Sequence, residues 1–330
     1  MNNPLVSIII PVFNKSDLVI ETFKSIVNQS YANWECIVVD DGSSKYDFNQ
    51  ISEYTQLDQR FSLHKRPSDT QKGANACRNF GLSISKGRYI QFFDSDDLML
   101  QDCLIGRVRA IQELSLDLVI FSMGIHKNDG FVNDDTPDVI VDDWEAALSA
   151  FIGKDRLPWN LQRTLYKSSL LKGEISFNEA LSRFQDVEFN IRLLSRLKPK
   201  FKIFTEVDCV YRRASASNPR TPDFNQNVFN SIPVFLDSIY SEMPKGVLNE
   251  NVLNLQMWLF NLIALYADKS IKTSQLDDLI RVSENKLELN SKQKQILRLL
   301  FISKTKLKGI KGVVRLNSYL RKKYIKLQIR

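Results

Sequence analysis

Residues 88–97, Arg-Tyr-Ile-Gln-Phe-Phe-Asp-Ser-Asp-Asp, constrain this chain more than any other stretch. Tyr, Ile and Phe favour the pleated conformation, and an apolar run without alternation suits a strand covered on both faces. The run from Tyr89 to Phe93 leads directly into Asp94, Asp96 and Asp97. Acids crowded at the end of a buried strand raise one another's pKa unless something positive sits between them. Hard carboxylate oxygens of this kind suit Mg²⁺ or Mn²⁺. The crevice beyond the carboxyl ends of the strands is also where open α/β sheets take their ligands. A plainer reading stays open, a solvated turn in which Asp97 caps a helix starting near Leu98.

The surrounding pattern supports a layered α/β domain. Val6 to Phe13 is an apolar strand closed by Asn14, and Val19, Phe23, Ile26 and Val27 follow at helical spacing. Trp34 to Val39 is a second strand ending in Asp40-Asp-Gly-Ser43, where Asp-Gly by itself predicts no more than a tight turn. A short helix near 46–56, a strand at 61–64, a helix over 73–84, the 88–93 strand, a helix over 98–114 and a strand at 117–122 continue the alternation. This predicts a Rossmann-like, mostly parallel sheet with helices on both faces. Helical patterns recur at 144–152, 168–171 and 186–197, with a short strand at 207–212. Ser215 to Pro222 is rich in Ser, Asn and Pro, which marks a boundary. Everything beyond it reads as helical.

Charge is unevenly distributed. Residues 289–330 hold thirteen Lys or Arg and no acid, leaving 32 basic against 38 acidic residues in 1–288, a net of −6. The four cysteines, at 36, 77, 103 and 209, show no metal-ligand spacing, and core thiols are expected. Met-Asn-Asn-Pro lacks the features of a signal peptide, and no window approaches the ~18 apolar residues of a spanning helix. The cytoplasm is the expected location.

Taken in order, Pro11-Val-Phe-Asn14, Asp40-Asp-Gly-Ser43, Lys72-Gly-Ala-Asn-Ala-Cys-Arg-Asn-Phe-Gly81 and Phe92-Phe-Asp-Ser-Asp-Asp97 resemble the nucleotide-sugar half of the family 2 glycosyltransferases, which have the GT-A fold. Pro158-Trp159, Phe184-Gln-Asp186-Val-Glu and Tyr211-Arg-Arg213 resemble the acceptor half. The resemblance covers roughly residues 4–216. It implies a GT-A domain over 1–216, with a donor half (1–123) and an acceptor half (124–216), followed by a helical domain over 217–330.

The resemblance also implies roles. Asp96 would bind the Mn²⁺ or Mg²⁺, and Asp94, with Ser95 beside it, would reach the ribose or the metal shell. Asp40 would accept the N3–H of a uracil ring, while Pro11, Phe13 and Asn14 would line the base and ribose pocket. Arg78 could balance Asp94 or contact phosphate, and Arg212 and Arg213 could clamp the diphosphate. Asp186 would be the base that an acceptor hydroxyl needs, with Glu188 next in line. It could equally be an acid favoured by a helix N-terminus. Trp159 would offer a flat face to a sugar or be a plain core residue. Where the family often has Glu and His, this chain has Gln185 and, after Arg213, Ala214 and Ser215. The partners implied are a UDP-sugar and a glycan or lipid-linked glycan, with inversion at the transferred sugar.

In 289–330 the apolar residues Leu297, Leu300, Phe301, Leu307, Ile310, Val313, Val314 and Leu316 are interspersed with lysines and arginines. This fits a helix lying on an anionic membrane, peripheral to its inner face, or a packed domain with a basic outer surface. Two other functions compete. A sugar nucleotidyltransferase would want a Gly-rich phosphate loop, which Pro11–Asn14 does not supply. A nucleic-acid or scaffold protein would work through the basic tail, yet no nucleic-acid module is visible and no nucleic acid is expected. Oligomeric state has no signature here.

Overall fold

The computed structural model describes residues 3–127, 130–132, 140–153, 157–212 and 221–328. In chain order its elements begin with β1 (Val6–Val12), α1 (Ser16–Val27), β2 (Trp34–Asp40), α2 (Lys45–Thr55), β3 (Phe61–Lys65), α3 (Ala74–Ile84) and β4 (Tyr89–Phe92). They continue with β5 (Leu98–Met99), α4 (Cys103–Glu113), β6 (Leu118–Lys127), β7 (Gly130–Val132), α5 (Trp144–Gly153), a 3₁₀ turn (Leu161–Arg163) and β8 (Thr164–Lys167). After these come α6 (Ser168–Leu171), α7 (Gln185–Leu197) and β9 (Phe201–Arg212), then α8 (Pro222–Glu242), α9 (Lys245–Tyr266), α10 (Thr273–Lys286), α11 (Ser291–Thr305) and α12 (Val313–Lys326). The chain divides into two compact units, the first comprising Met1–Ala147, Arg156–Glu179 and Gln185–Asn218, the second Leu148–Asp155, Ala180–Phe184 and Pro219–Arg330.

The first unit is built on one mixed sheet, ordered β3-β2-β1-β4-β8-β6-β9-β5, with β7 paired to β6. The alternating strands anticipated from sequence form its parallel side, β3, β2, β1 and β4. Antiparallel pairing enters where β8 inserts between β4 and β6 and where β5 lies on β9. Neither β8 nor β5 has a period long enough to read.

The order reverses at β1: its successors β2 and β3 lie on one side and β4 on the other. Such a switch point opens a crevice at the carboxyl ends of the strands. Pro11 widens it. The odd-numbered residues of β1 face β4, as shown by Tyr89 donating to Leu5 O and Phe93 to Ile9 O. Pro11 therefore turns its missing N–H toward a neighbour that ended at Phe92, so the proline costs no ladder bond there. The helix α3 is pressed onto β1 at Gly81, where an added Cβ would lie 2.5 Å from Ile9 Cγ2. That contact fixes where the first turns of α3, and Arg78 with them, meet the strand ends.

Within the core, Val19, Phe23 and Ile26 of α1 are buried with β1 and β2, whereas Val27 faces outward. All four cysteines are free and buried.

The second unit is helical. In α11, Leu297, Leu300 and Phe301 belong to its core, and in α12 Leu320 and Tyr324 do. The basic stretch 289–330 is thus divided: α11 packs one side into the core and exposes Leu299 and Ile302 on the other, and the α11–α12 connection and the outer side of α12 expose further apolar residues, Ile310, Val314 and Tyr319 among them. No described helix is long and apolar enough to cross a membrane.

Candidate active site

The acids lie on the turn that leaves β4. Phe93 is still tied to β1, and Asp97 N–H closes the turn on Asp94 O at 3.4 Å. The chain then doubles back as β5 against β9, so the helix expected from residue 98 begins only at Cys103. Asp97 caps nothing. It is 1% exposed, and its two oxygens accept from Arg212 N–H (3.1 Å) and Gln162 Nε2 (3.1 Å).

The three carboxylates have three different surroundings. Asp94 is paired with Arg78 at 2.7 Å and accepts from Gln162 Nε2 on its other oxygen. Burial, then the charges of Asp94 and Asp96, push Asp97 up to about 8. Asp96 is raised as well, by burial and by Asp94, with Lys15 and Arg212 opposing. Its side chain is 41% exposed, and Lys15 Nζ approaches no closer than 3.9 Å. Of the three, Asp96 is the acid whose oxygens remain open.

A second group closes the crevice from the β1 and β2 side. Asn14 and Lys15 both adopt left-handed backbone (φ 56° and 58°). Asn14 N–H donates to Ser43 Oγ (2.8 Å) and its side-chain oxygen accepts from Ser44 N–H (2.8 Å), so Asn14 braces the two strand-end loops against each other. Asp40 is buried and accepts from its own turn, from Gly42 N–H at 3.0 Å and Ser43 N–H at 3.2 Å. Asp41 accepts from Arg66 Nε (2.7 Å) and from the N–H of Gly73 (3.1 Å), whose φ of 142° only glycine adopts readily. Phe13 is 46% exposed, with Lys72 Nζ 4.3 Å from its ring centroid. Pro11 is buried in β1, and Ser95 offers its carbonyl to Thr22 Oγ1.

In the half that the resemblance assigns to the acceptor, Asp186 sits half-buried in the first turn of α7 and accepts from Leu161 N–H at 3.2 Å. Burial raises it to about 6, Asp94 adds to the rise, and Arg78 opposes it. It therefore feels the same Arg78–Asp94 pair that anchors the acid turn. Glu188 is buried and forked onto Arg192 at 2.6 and 2.9 Å, which removes it as a candidate base.

Two expectations are corrected here. Trp159 is 1% exposed and presents no stacking face; its Nε1–H donates to Asn190 Oδ1 (3.0 Å), and Asn190 in turn donates to Asp186 O (2.7 Å). The tryptophan supports Asp186 from behind. Arg212 is committed to the acid turn and to α1, donating to Asp96 O, Leu18 O and Thr22 Oγ1 and pairing with Glu21, so it is not a free clamp for phosphate. Arg213, with Ala214 and Ser215, lies outside the described residues.

Among the described residues no three His, Cys, Asp or Glu side chains are grouped to hold a metal ion. The donor set fits a different arrangement. Mg²⁺ commonly takes one or two carboxylates and completes its shell from substrate phosphates and water. With both oxygens of Asp94 and Asp97 hydrogen-bonded, Asp96 is left for that part. Sequence reasoning missed Gln162 and Arg66, since single polar residues in irregular segments carry no pattern, and it quoted Lys72 within a motif without giving it a role.

The Glycosyl transferase family 2 profile matches residues 7–176, just over half of the chain. GlyG, a glycosyltransferase of Streptococcus pneumoniae, is 27% identical over 285 residues, covering 83% of this chain and 91% of that protein. An uncharacterized glycosyltransferase of Haemophilus influenzae is 42% identical over 104 residues, 32% of this chain and 41% of its own length. Escherichia coli WfgD, a UDP-Glc:α-D-GlcNAc-diphosphoundecaprenol β-1,3-glucosyltransferase, is 32% identical over 132 residues, 40% of this chain and 51% of WfgD. The chain thus spans about half or less of the last two relatives. Among solved structures, S. aureus TarS 1–349 with UDP-GlcNAc superposes at a TM-score of 0.61 and 19% identity, over 97% of this chain and 88% of that one. The mannosyltransferase PcManGT of Pyrobaculum calidifontis, with GDP-Man and Mn²⁺, does so at 0.55 and 14%, over 91% and 85%. These likenesses establish a GT-A fold. Because the matching profile spans the strand ends that carry the acids, and GlyG aligns over nearly its whole length, the chain belongs to glycosyl transferase family 2 and is a glycosyltransferase.

Proposed function

We propose that this glycosyltransferase is a metal-dependent, inverting enzyme that moves a sugar from a UDP-sugar to a hydroxyl of a glycan or lipid-linked glycan in cell-surface polysaccharide synthesis. The observation that carries the reading is the division among the acids. Asp96 is open, Asp94 is neutralised by Arg78, and Asp186 is a raised, half-buried carboxylate within reach of the same pair's field. WfgD, whose name specifies UDP-Glc and a diphosphoundecaprenol acceptor, and TarS, solved with UDP-GlcNAc, support the donor and acceptor classes.

In this reading the uracil lies over Phe13, with Pro11 behind it, and Asp40 accepts N3–H through the acceptor capacity its turn leaves over. Asn14 keeps the pocket's two loops in register, and Asp94 and Ser95 border the ribose. Asp96, together with the donor's diphosphate, would hold Mn²⁺ or Mg²⁺, an ion that neutralises charge gathering on the departing diphosphate. Asp186 takes the proton from the acceptor hydroxyl as it attacks the anomeric carbon opposite the UDP. Arg78 favours the ionised form of Asp186, the form that can accept that proton.

Binding tests this directly. UDP with Mn²⁺ should stabilise the chain by about 2.7 kcal/mol at a hundredfold excess over Kd. Asp96→Ala should remove the metal-dependent part of the thermal shift and leave the UDP-only part. Equal stabilisation by UDP in Mn²⁺ and in chelator counts against the metal, and stronger stabilisation by GDP counts against uracil.

The basic surface belongs to the same reading, with the enzyme peripheral at the inner face of the cytoplasmic membrane, where lipid-linked acceptors sit. Arg315, Lys322 and Lys326 project from the outer side of α12, flanked by Val314 (84% exposed) and Tyr319. Each basic residue near an anionic surface is worth about 1 kcal/mol. Reversing these three to Glu should lower affinity for phosphatidylserine vesicles by at least about 100-fold on that scale. The melting temperature should not change, since none of the three is in the core. Undiminished vesicle binding in a sedimentation assay would remove the membrane from the proposal. Deleting 289–330 is the poorer experiment, because it strips Leu297, Leu300, Phe301 and Tyr324 from the helical core.

A further inference from the structure

One short turn touches both sides of the proposed reaction. In the 3₁₀ turn Leu161–Arg163, the Gln162 amide nitrogen spends its two hydrogens on Asp94 Oδ2 and Asp97 Oδ2. The preceding residue's N–H, on Leu161, donates to Asp186 Oδ2 at 3.2 Å. The Arg78-paired carboxylate of Asp94 sets the amide orientation, because the reverse would place Gln162 Oε1 against an acceptor-only group.

The turn itself is held firmly. Gln162 O accepts from Arg107 Nη1 (2.7 Å) and Gln91 Nε2 (3.1 Å), and Arg163 Nε donates to Phe121 O (2.7 Å). Leu161, Gln162 and Arg163 are all buried, at 5% exposure or less. Among the described residues Gln162 Oε1 has no partner, so the side chain is not explained as ordinary core polar satisfaction. A buried amide with an orphaned oxygen is retained at some cost, and what it gains is the pair of N–H bonds.

We propose that Gln162 is a positioning residue for transfer, and that the Leu161–Arg163 turn registers the donor-side acids against the acceptor-side base. Gln162 aims Asp94 and Asp97, the neighbours that set the placement of Asp96. Leu161 N–H aims Asp186. Because the two bonds leave adjacent residues of one rigid turn, donor and base hold a fixed separation. This rests on the functional reading above.

Two variants of the full chain separate the roles. Gln162→Met keeps length and apolar bulk and loses both N–H bonds. It should weaken Mn²⁺-dependent UDP binding about 10- to 100-fold, the scale of a hydrogen bond to a charged group, while UDP binding in chelator and the melting temperature hold. Leu161→Pro deletes the other donor. The backbone there suits proline, Leu161 being the first residue of the turn after an extended Asn160 (φ −115°, ψ 176°), and the packing lost with the buried leucine side chain is read separately from the melting temperature. It should leave Mn²⁺–UDP binding in place, lower kcat for UDP release from a UDP-hexose about 10-fold or more, and move the acid limb of the pH profile upward, since the lost bond favours the ionised base. If the parent binds UDP with Mn²⁺ and both variants match it, the inference is overturned alone. If both variants lose binding and turnover only in step with a lowered melting temperature, the turn is merely structural and the inference is overturned as well. A parent without Mn²⁺-dependent UDP binding overturns the functional reading and this inference with it.

Discussion

Asp186→Asn is expected to bind UDP and Mn²⁺ like the parent and to lose turnover by about 10²–10⁴-fold, the range for a positioned general base. The substitution keeps size and most hydrogen bonding. Its side-chain oxygen can still accept from Leu161 N–H, and the backbone carbonyl still accepts from Asn190. What it cannot do is take a proton. A helix-end role predicts the reverse pattern, with a stability loss of ~1 kcal/mol for Ala, less for Asn, and near-normal turnover. The pH profile adds an independent reading. Burial lifts Asp186 to about 6, so kcat/KM, which reports the free enzyme, should fall tenfold per pH unit below that value and level off above it. The sign follows from the ionised form being the active one. Retention of more than a tenth of parental turnover in Asp186→Asn, or an acid limb unmoved by that substitution, would take the base away from Asp186.

The parts of this molecule legible in sequence are those with a period or a cluster. Apolar runs gave the four parallel strands and their order of succession, and the tight group Asp94, Asp96 and Asp97 marked where the crevice lies. Helical spacing found α7 to within a residue and the helical character of the chain beyond residue 222. Short elements were opaque: two residues of β5 and four of β8 carry no period, and both follow tertiary pairing rather than local preference. The helix start at 98 was misplaced for the same reason, since β9 claims Leu98 and Met99. Side-chain fate was the least legible. Trp159, Arg212 and Asn14 have the right chemistry to meet a ligand, yet each is committed to a neighbour distant in sequence. Gln162 left no trace at all, because its importance arises only when residues 94, 97 and 162 meet.

Arg107→Met should cost the first unit about 3–5 kcal/mol, the penalty for leaving one member of a buried ion pair behind. Arg107 lies inside α4 with no exposed surface, and its guanidinium forks onto Asp208 at 2.7 and 2.6 Å. A third nitrogen bond reaches Gln162 O, with Gln91 Oε1 beside it. Methionine fills the volume and supplies none of this. Asp208, itself buried, would keep a charge without a counter-ion, and the 161–163 turn would lose one of its two carbonyl anchors. For a unit near 200 residues a loss of that size lowers the melting temperature by roughly 10 °C or more. Arg107→Lys retains charge but not the fork, and should fall between. The decisive comparison is the double variant Arg107→Met/Asp208→Leu. Replacing both members of a buried pair by apolar groups is often neutral or stabilising, so most of the melting temperature should return. Mn²⁺-dependent UDP binding should not return with it, because Gln162 O keeps only Gln91 as a donor and the turn that aims the acids has lost its charged anchor. Full recovery of both properties would show that Arg107 serves stability alone, and that the acid turn holds its geometry without the pair.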